Sequence, residues 1–294
     1  MLRFLAVSIF SAHLWFGGLA LAQTQPVVVS SFTVIHDWVQ TIGGKDFETI
    51  NIIPPRSEAH GFQLSPRHAK DLRRADLIVG MSPEFEPWLE AWAKAHGRSD
   101  AILWLNEHSG GQPSLNLPAN PHAWTDPARV RVMVKALADR LGKLSGQDKT
   151  QVAYQQYFKE IEKVEANLGQ LFDQVPPEKR SFISHHANLD LFARRYGLKV
   201  AGTILASGSA ESADPSVRHF SELLALIRKQ QIRVIVTDEG QNDAFARRLT
   251  EDAGLPPPLT LSFEYLEPPG QPGDTWVSMM LTNGRRLQQA LLGK

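Results

Sequence analysis

Phe47-Glu48-Thr49-Ile50-Asn51-Ile52-Ile53 stops at Pro54-Pro55, and the chain returns at Ala75-Asp76-Leu77-Ile78-Val79-Gly80. Both runs are short, apolar and bounded by turn or helix signals, as buried strands are. Between them Ser65–Arg74 reads as a helix, with Ser65 as N-cap and Pro66 at the first helical position. A strand, a helix and a strand at this spacing give a right-handed βαβ unit, and hence a parallel sheet. Upstream, Val27–Ser31 supplies another strand, followed by a helix over Ile35–Ile42 that ends at Gly43-Gly44. Downstream come a helix at Glu86–Ala95 and a strand at Ala101–Leu105.

The stretch Asn106–Pro121 interrupts this rhythm. It is rich in Gly, Pro, Asn and Ser and longer than a usual connection, which marks functional or mobile loops. Helical periodicity resumes over Pro127–Leu144 and again over Lys149–Gln174. The second segment carries Val152, Tyr157, Ile161, Val164, Leu168 and Leu171 near helical spacing, and Val175-Pro176-Pro177 stops it. Strand-like runs then recur at Arg180–Ser184, 199–204, 232–237 and Pro258–Ser262. The expected fold is α/β, with two similar parallel-sheet lobes joined by one long helix. The first lobe should span 23–148, the linking helix 149–175 and the second lobe 176–294.

Composition narrows the function. The 294 residues are 43% hydrophobic, with 31 basic and 31 acidic side chains, so there is ample core and no net charge. Nothing in that balance attracts nucleic acid or an anionic membrane. Residues 1–22 have the form of a cleavable export signal: Arg3, the mostly apolar Phe4–Leu21, then Ala20-Leu21-Ala22. His13 and Gly17-Gly18 argue against an uncleaved anchor. The chain contains no cysteine, so neither a disulfide nor a lipid-bearing cysteine is expected. An exported, unlipidated periplasmic protein, monomeric and not an enzyme, is the expectation.

Without cysteine, a transition-metal site must be built from imidazole and oxygen. His60, His122, His186 and Glu264 each follow a strand-like run, and ligands of open α/β sheets collect beyond the carboxyl ends of strands. His60 lies in Ser57-Glu58-Ala59-His60-Gly61, and His122 in Asn120-Pro121-His122-Ala123-Trp124-Thr125-Asp126-Pro127. His186 lies in Ser184-His185-His186-Ala187-Asn188. Asp238 or Glu239 competes with Glu264 as the acidic ligand, and His185 is a possible substitute that strand alternation would turn away from His186.

Four segments, Ser57–Pro66, Asn120–Pro127, Ser184–Leu198 and Tyr265–Asn283, resemble the markers of the periplasmic receptors of zinc and manganese ABC importers. Glu58-Ala59-His60 with Ala75-Asp76-Leu77 is similar to the first marker, and Asn120–Pro127 to the second and most specific. His186 with Phe192–Leu198 matches the third; Pro268-Pro269-Gly270, Thr275-Trp276, Met279-Met280 and Asn283 match the last. The likeness runs from about Val27 to the C terminus. It implies two ligands per lobe, His60 and His122 from the first and His186 and Glu264 from the second, around an ion in the cleft. Three departures stand out: Glu58 and Asn120 replace the family's aspartates, and Ala187 occupies the place of the aspartate beside the third histidine.

Three neutral imidazoles and one carboxylate suit tetrahedral Zn(II), bound at about 2.0–2.2 Å. Mn(II) prefers more oxygen, and the manganese receptors of the family carry a carboxylate at the third position, where His186 stands. The resemblance therefore implies capture of Zn(II) and delivery to a membrane permease, with a stiff linking helix and release through loop motion near Asn106–Pro121. A manganese receptor of the same family, or a metal-dependent adhesin or chaperone, is the alternative. A secreted zinc hydrolase fits least, since there is no His-Glu-x-x-His helix and no Gly-x-Ser-x-Gly elbow.

Overall fold

A computed structural model describes residues 25–57, 59, 61–109, 120–145, 149–205 and 216–294. The export signal expected at 1–22 lies outside them. Strand β1 (Val27–Phe32) is buried between β2 (Glu48–Ile53) and β3 (Leu77–Gly80), and β4 (Ile102–Trp104) closes the sheet beyond β3. All pairings are parallel; Val29 stands opposite Ile50 on one side and Ile78 on the other. A strand paired on both edges and covered on both faces is buried along its length, which explains Val27-Val28-Val29 and Phe32; the two serines between them are buried as well, and Ser30 donates to the Ile50 carbonyl at 3.1 Å.

Helix α1 (Thr33–Gly43) follows β1 directly and buries Val34, Ile35, Trp38, Val39 and Ile42 along one stripe. It ends where Gly44 takes φ +59°, a conformation that costs glycine nothing. Helix α2 (Pro66–Arg74) starts as expected: the Ser65 side chain accepts from the His68 amide, and His68 Nδ1 accepts from the Ser65 amide at 3.2 Å. Helix α3 (Pro87–His96) precedes β4. The expected loop starting at Asn106 is partly short 3-10 helix, Leu105–His108, and residues 110–119 fall outside the described residues.

Helix α4 (Pro127–Ser145) leads to α5 (Lys149–Asp173), 25 residues long, the long helix anticipated from periodicity. Its buried stripe is Thr150, Tyr154, Tyr157, Ile161, Val164, Leu168 and Phe172. Val152 instead faces solvent at 60% exposure, because the stripe passes through positions 150 and 154 and leaves 152 on the far side. Helix α5 packs on α1, on α4 and on the last helix, so it touches elements from both ends of the chain.

The second half repeats the pattern with β5 (Ser181–Ser184), α6 (Asp190–Arg195), β6 (Lys199–Thr203), α7 (Val217–Gln230), β7 (Val236–Asp238), α8 (Ala244–Ala253), β8 (Leu259–Leu261) and α9 (Trp276–Leu292). β5 pairs with β6 and β7 with β8, all parallel, and a bridge between Ile183 and Ile235 joins the pairs. The order β6-β5-β7-β8 is that of the first sheet. The strand expected at 232–237 pairs fully only over 236–238; upstream, only Val234 and Ile235 reach β5. Gly284 of α9 lies against α5, where an added Cβ would sit 2.3 Å from Leu168 Cδ2. Among the described residues no helix is long and apolar enough to cross a membrane.

Candidate metal centre

The Asn120–Pro127 segment runs from the end of a long connection into α4. Pro127 opens the helix, and the Asp126 carboxylate accepts from the Ala128 amide, satisfying one of the amides that a helix start leaves unpaired. Asp126 also takes both Nε and Nη2 of Arg195, from α6, at 2.8 and 3.1 Å. Trp124 donates its indole N–H to the Phe263 carbonyl at 2.7 Å, and Trp276 donates to the Trp124 carbonyl at 2.8 Å. The turn bearing His122 is thus bonded to three segments of the second half of the chain.

His122 is buried, with Phe85 and Trp124 set edge-on against its ring. Asn120 Oδ1 accepts the His122 backbone amide and lies 2.9 Å from its Nδ1, while Asn120 Nδ2 donates to the Ala187 carbonyl at 2.8 Å. Because the amide nitrogen is committed to a carbonyl, the oxygen must face the imidazole. That assigns the proton of His122 to Nδ1 and leaves the lone pair of Nε2 directed towards His186 and Glu264. Asn120 therefore offers His122 an acceptor without the charge of a carboxylate.

His186 leaves β5 by two residues. Its Nε2 lies 3.3 Å from Nε2 of His122 and 3.6 Å from Oε1 of Glu264, and the His122 to Glu264 distance is 3.7 Å. Three expected ligands from positions 64 to 142 residues apart thus present one atom each to a single point. A tetrahedral ion bound at about 2.0–2.1 Å separates its ligand atoms by about 3.3–3.4 Å, close to these spacings. His60 and Glu58 lie outside the described residues, and with them the fourth ligand of the expected set.

Asp238, buried at the end of β7, does not join this point. Its Oδ2 lies 2.9 Å from Nδ1 of His186 and 3.4 Å from Nδ1 of His185, and its Oδ1 accepts from Asn188 at 2.9 Å. Asn188 also donates to Glu264 Oε1 at 3.0 Å. Burial pushes the Asp238 carboxyl up, but contacts and charge from His185 and His186 outweigh it and hold the group below the usual carboxylate range. The acid weighed against Glu264 as a ligand therefore meets the opposite nitrogen of His186. His185 does not turn away from it as strand alternation would require. The strand ends at Ser184, the pleat ends with it, and both rings contact one carboxylate.

Asn188 was not legible as a functional residue; nothing in its spacing distinguishes it from any loop asparagine. Asp238 carried a signal, an acidic side chain closing an apolar strand, though not its role.

A two-lobed α/β protein with a long connecting helix and a buried imidazole–carboxylate cluster has the form of a metal-binding substrate-binding protein of ABC importers. The model of the zinc-uptake complex component A periplasmic family matches residues 28–290, and the chain belongs to that family. It is 24% identical over 284 residues to the zinc-binding lipoprotein AdcA of Streptococcus pneumoniae, covering 89% of this chain and 55% of AdcA. The chain thus spans about half the length of that relative. It is also 24% identical to the iron-binding protein YfeA of Yersinia pestis, covering 89% of this chain and 87% of YfeA. The fold matches the periplasmic zinc-binding protein TroA of Treponema pallidum with a TM-score of 0.82 at 22% identity, over 91% of this chain and 99% of TroA.

Proposed function

We propose that the chain is a periplasmic receptor that captures Zn(II) on His60, His122, His186 and Glu264 and hands it to an ABC importer permease. The observation that carries this reading is the convergence of His122 Nε2, His186 Nε2 and Glu264 Oε1 to within 3.3–3.7 Å of one another. Zinc is favoured over manganese because imidazole supplies three of the four proposed donors. Lobes 23–148 and 176–294, joined by 149–175, would each supply two ligands. Export by a cleaved, unlipidated signal at 1–22 completes the reading, with the protein acting as a monomeric carrier and not as an enzyme.

The test is calorimetric titration of the metal-stripped mature chain with zinc and with manganese. One zinc per chain, bound more tightly than manganese, is the expected result. His122→Ala and His186→Ala should each weaken zinc binding at least about 100-fold, since each removes a direct ligand. Unchanged affinity in both variants would reject the assignment.

A further inference from the structure

The carboxylate of Asp238 lies on the Nδ1 side of His186, away from the point where His122 Nε2, His186 Nε2 and Glu264 Oε1 meet. It sits at the carboxyl end of β7, and β7 adjoins β5, the strand from which His185 and His186 emerge. A carboxylate buried this deeply is costly unless donors surround it. Here Asn188 meets one oxygen, and the Nδ1 atoms of both histidines lie beside the other. The Oδ2 atom faces Nδ1 of His186, whereas His122 and Glu264 face Nε2.

We propose that Asp238 is the positioning residue of the second half of the site. It fixes the His186 ring with the proton on Nδ1 and, through Asn188, holds Glu264 Oε1 at the same point. The inference rests on the reading of His186 and Glu264 as ligands. One carboxylate thereby orients one imidazole directly and one acid through a shared amide, so one side chain outside the coordination shell acts on both second-half ligands. Outer partners of this kind fix the tautomer and raise the basicity of a ligating histidine. The position beside His186, Ala187, has no polar side chain to do so.

Zinc affinity of the full mature chain, measured by chelator competition, is the test, with Asp238→Ala, Asp238→Asn and His186→Ala. Asp238→Ala is expected to weaken zinc binding about 10–100-fold, and Asp238→Asn less, since a carboxamide oxygen can still accept. Long-range proton–nitrogen NMR of the zinc-loaded wild type should show His186 protonated at Nδ1 and shifted at Nε2. A slowly exchanging, downfield Nδ1 proton would mark its hydrogen bond to the Asp238 carboxylate and a fast-exchanging one would overturn the inference, and this spectrum needs no variant. If both Asp238 variants bind zinc like wild type while His186→Ala does not, this inference falls and the receptor reading stands. If His186→Ala binds normally, the receptor reading falls. Metal on Nδ1 of His186, or a second zinc lost with Asp238, would make Asp238 a ligand and overturn its positioning role.

Discussion

At the scale of single residues, the His122 segment shows why its pattern is so readable. Asn120 orients an imidazole, His122 faces the cleft, Trp124 bonds to Phe263, Asp126 holds Arg195 and Pro127 opens α4. Side chains with non-interchangeable roles at fixed offsets leave a recognisable string. Asn120 is the member whose replacement is most informative, because it serves His122 and the Ala187 carbonyl together. Asn120→Ala is expected to weaken zinc binding about 10–100-fold without abolishing it, as loss of an outer-shell partner does. Chelator competition measures it, and an affinity equal to wild type would show that the Nδ1 contact does not orient the ring. Asn188 and Asp238 form the contrasting case. Their partners lie 76 and 52 residues away in sequence, respectively, at Glu264 and His186, and no local offset encodes such pairs.

At the scale of elements, the βαβ units were legible because each strand is an apolar run and each helix carries a cap or a stripe. Ser65 and Pro66 open α2 as read from the sequence. Boundaries set by pairing were less legible: β7 is cut to three residues because its partner β8 spans only Leu259–Leu261. The seam between α1 and α9 could not be foreseen either. There the Trp276 amide donates to Asp37 at 3.0 Å, and the Leu266 amide donates to Thr33 at 2.8 Å. Burial raises the Asp37 carboxyl to about 6, against the lowering effect of the Trp276 amide and with a further rise from Asp274. The folded state therefore binds the proton more tightly than the unfolded chain, whose value is near 3.8. Between those two values stability falls as pH rises, and it levels off above about 6. Asp37→Asn keeps an acceptor for Trp276 and removes the buried charge, so it should stabilise the metal-free chain at pH 7 by about 1–2 kcal/mol and flatten that slope. Urea denaturation at mildly acidic and neutral pH checks this; an equal or lower neutral stability in the variant would contradict it.

At the scale of the whole molecule, the two sheets have the same strand order, and α5 packs against α1, α4 and α9. Such a helix is a spine, and the contacts across it are specific: Trp124 to Phe263, Trp276 to Trp124, Arg195 to Asp126. Near the cleft, Arg56, held at φ +58°, donates to Glu267 at 2.8 Å and to Gln271 at 3.3 Å, tying the turn after β2 to the loop after Glu264. The two-lobed plan was readable because βα alternation restarts after Val175-Pro176-Pro177. The joining of the lobes was not, because its side-chain pairs, Asp126 with Arg195 and Arg56 with Glu267, lie 69 and 211 residues apart, and its tryptophans bond to backbone carbonyls that any residue would supply. In the proposed receptor, function at this scale comes down to one ion shared by ligands from both halves of the chain.

X-ray absorption at the zinc edge of the zinc-loaded protein examines that ion directly. One zinc per chain is expected, with four nitrogen or oxygen ligands at about 2.0–2.1 Å and the multiple-scattering pattern of three imidazoles. A six-coordinate, oxygen-dominated shell, or a spectrum unchanged by His122→Ala and His186→Ala, would contradict it.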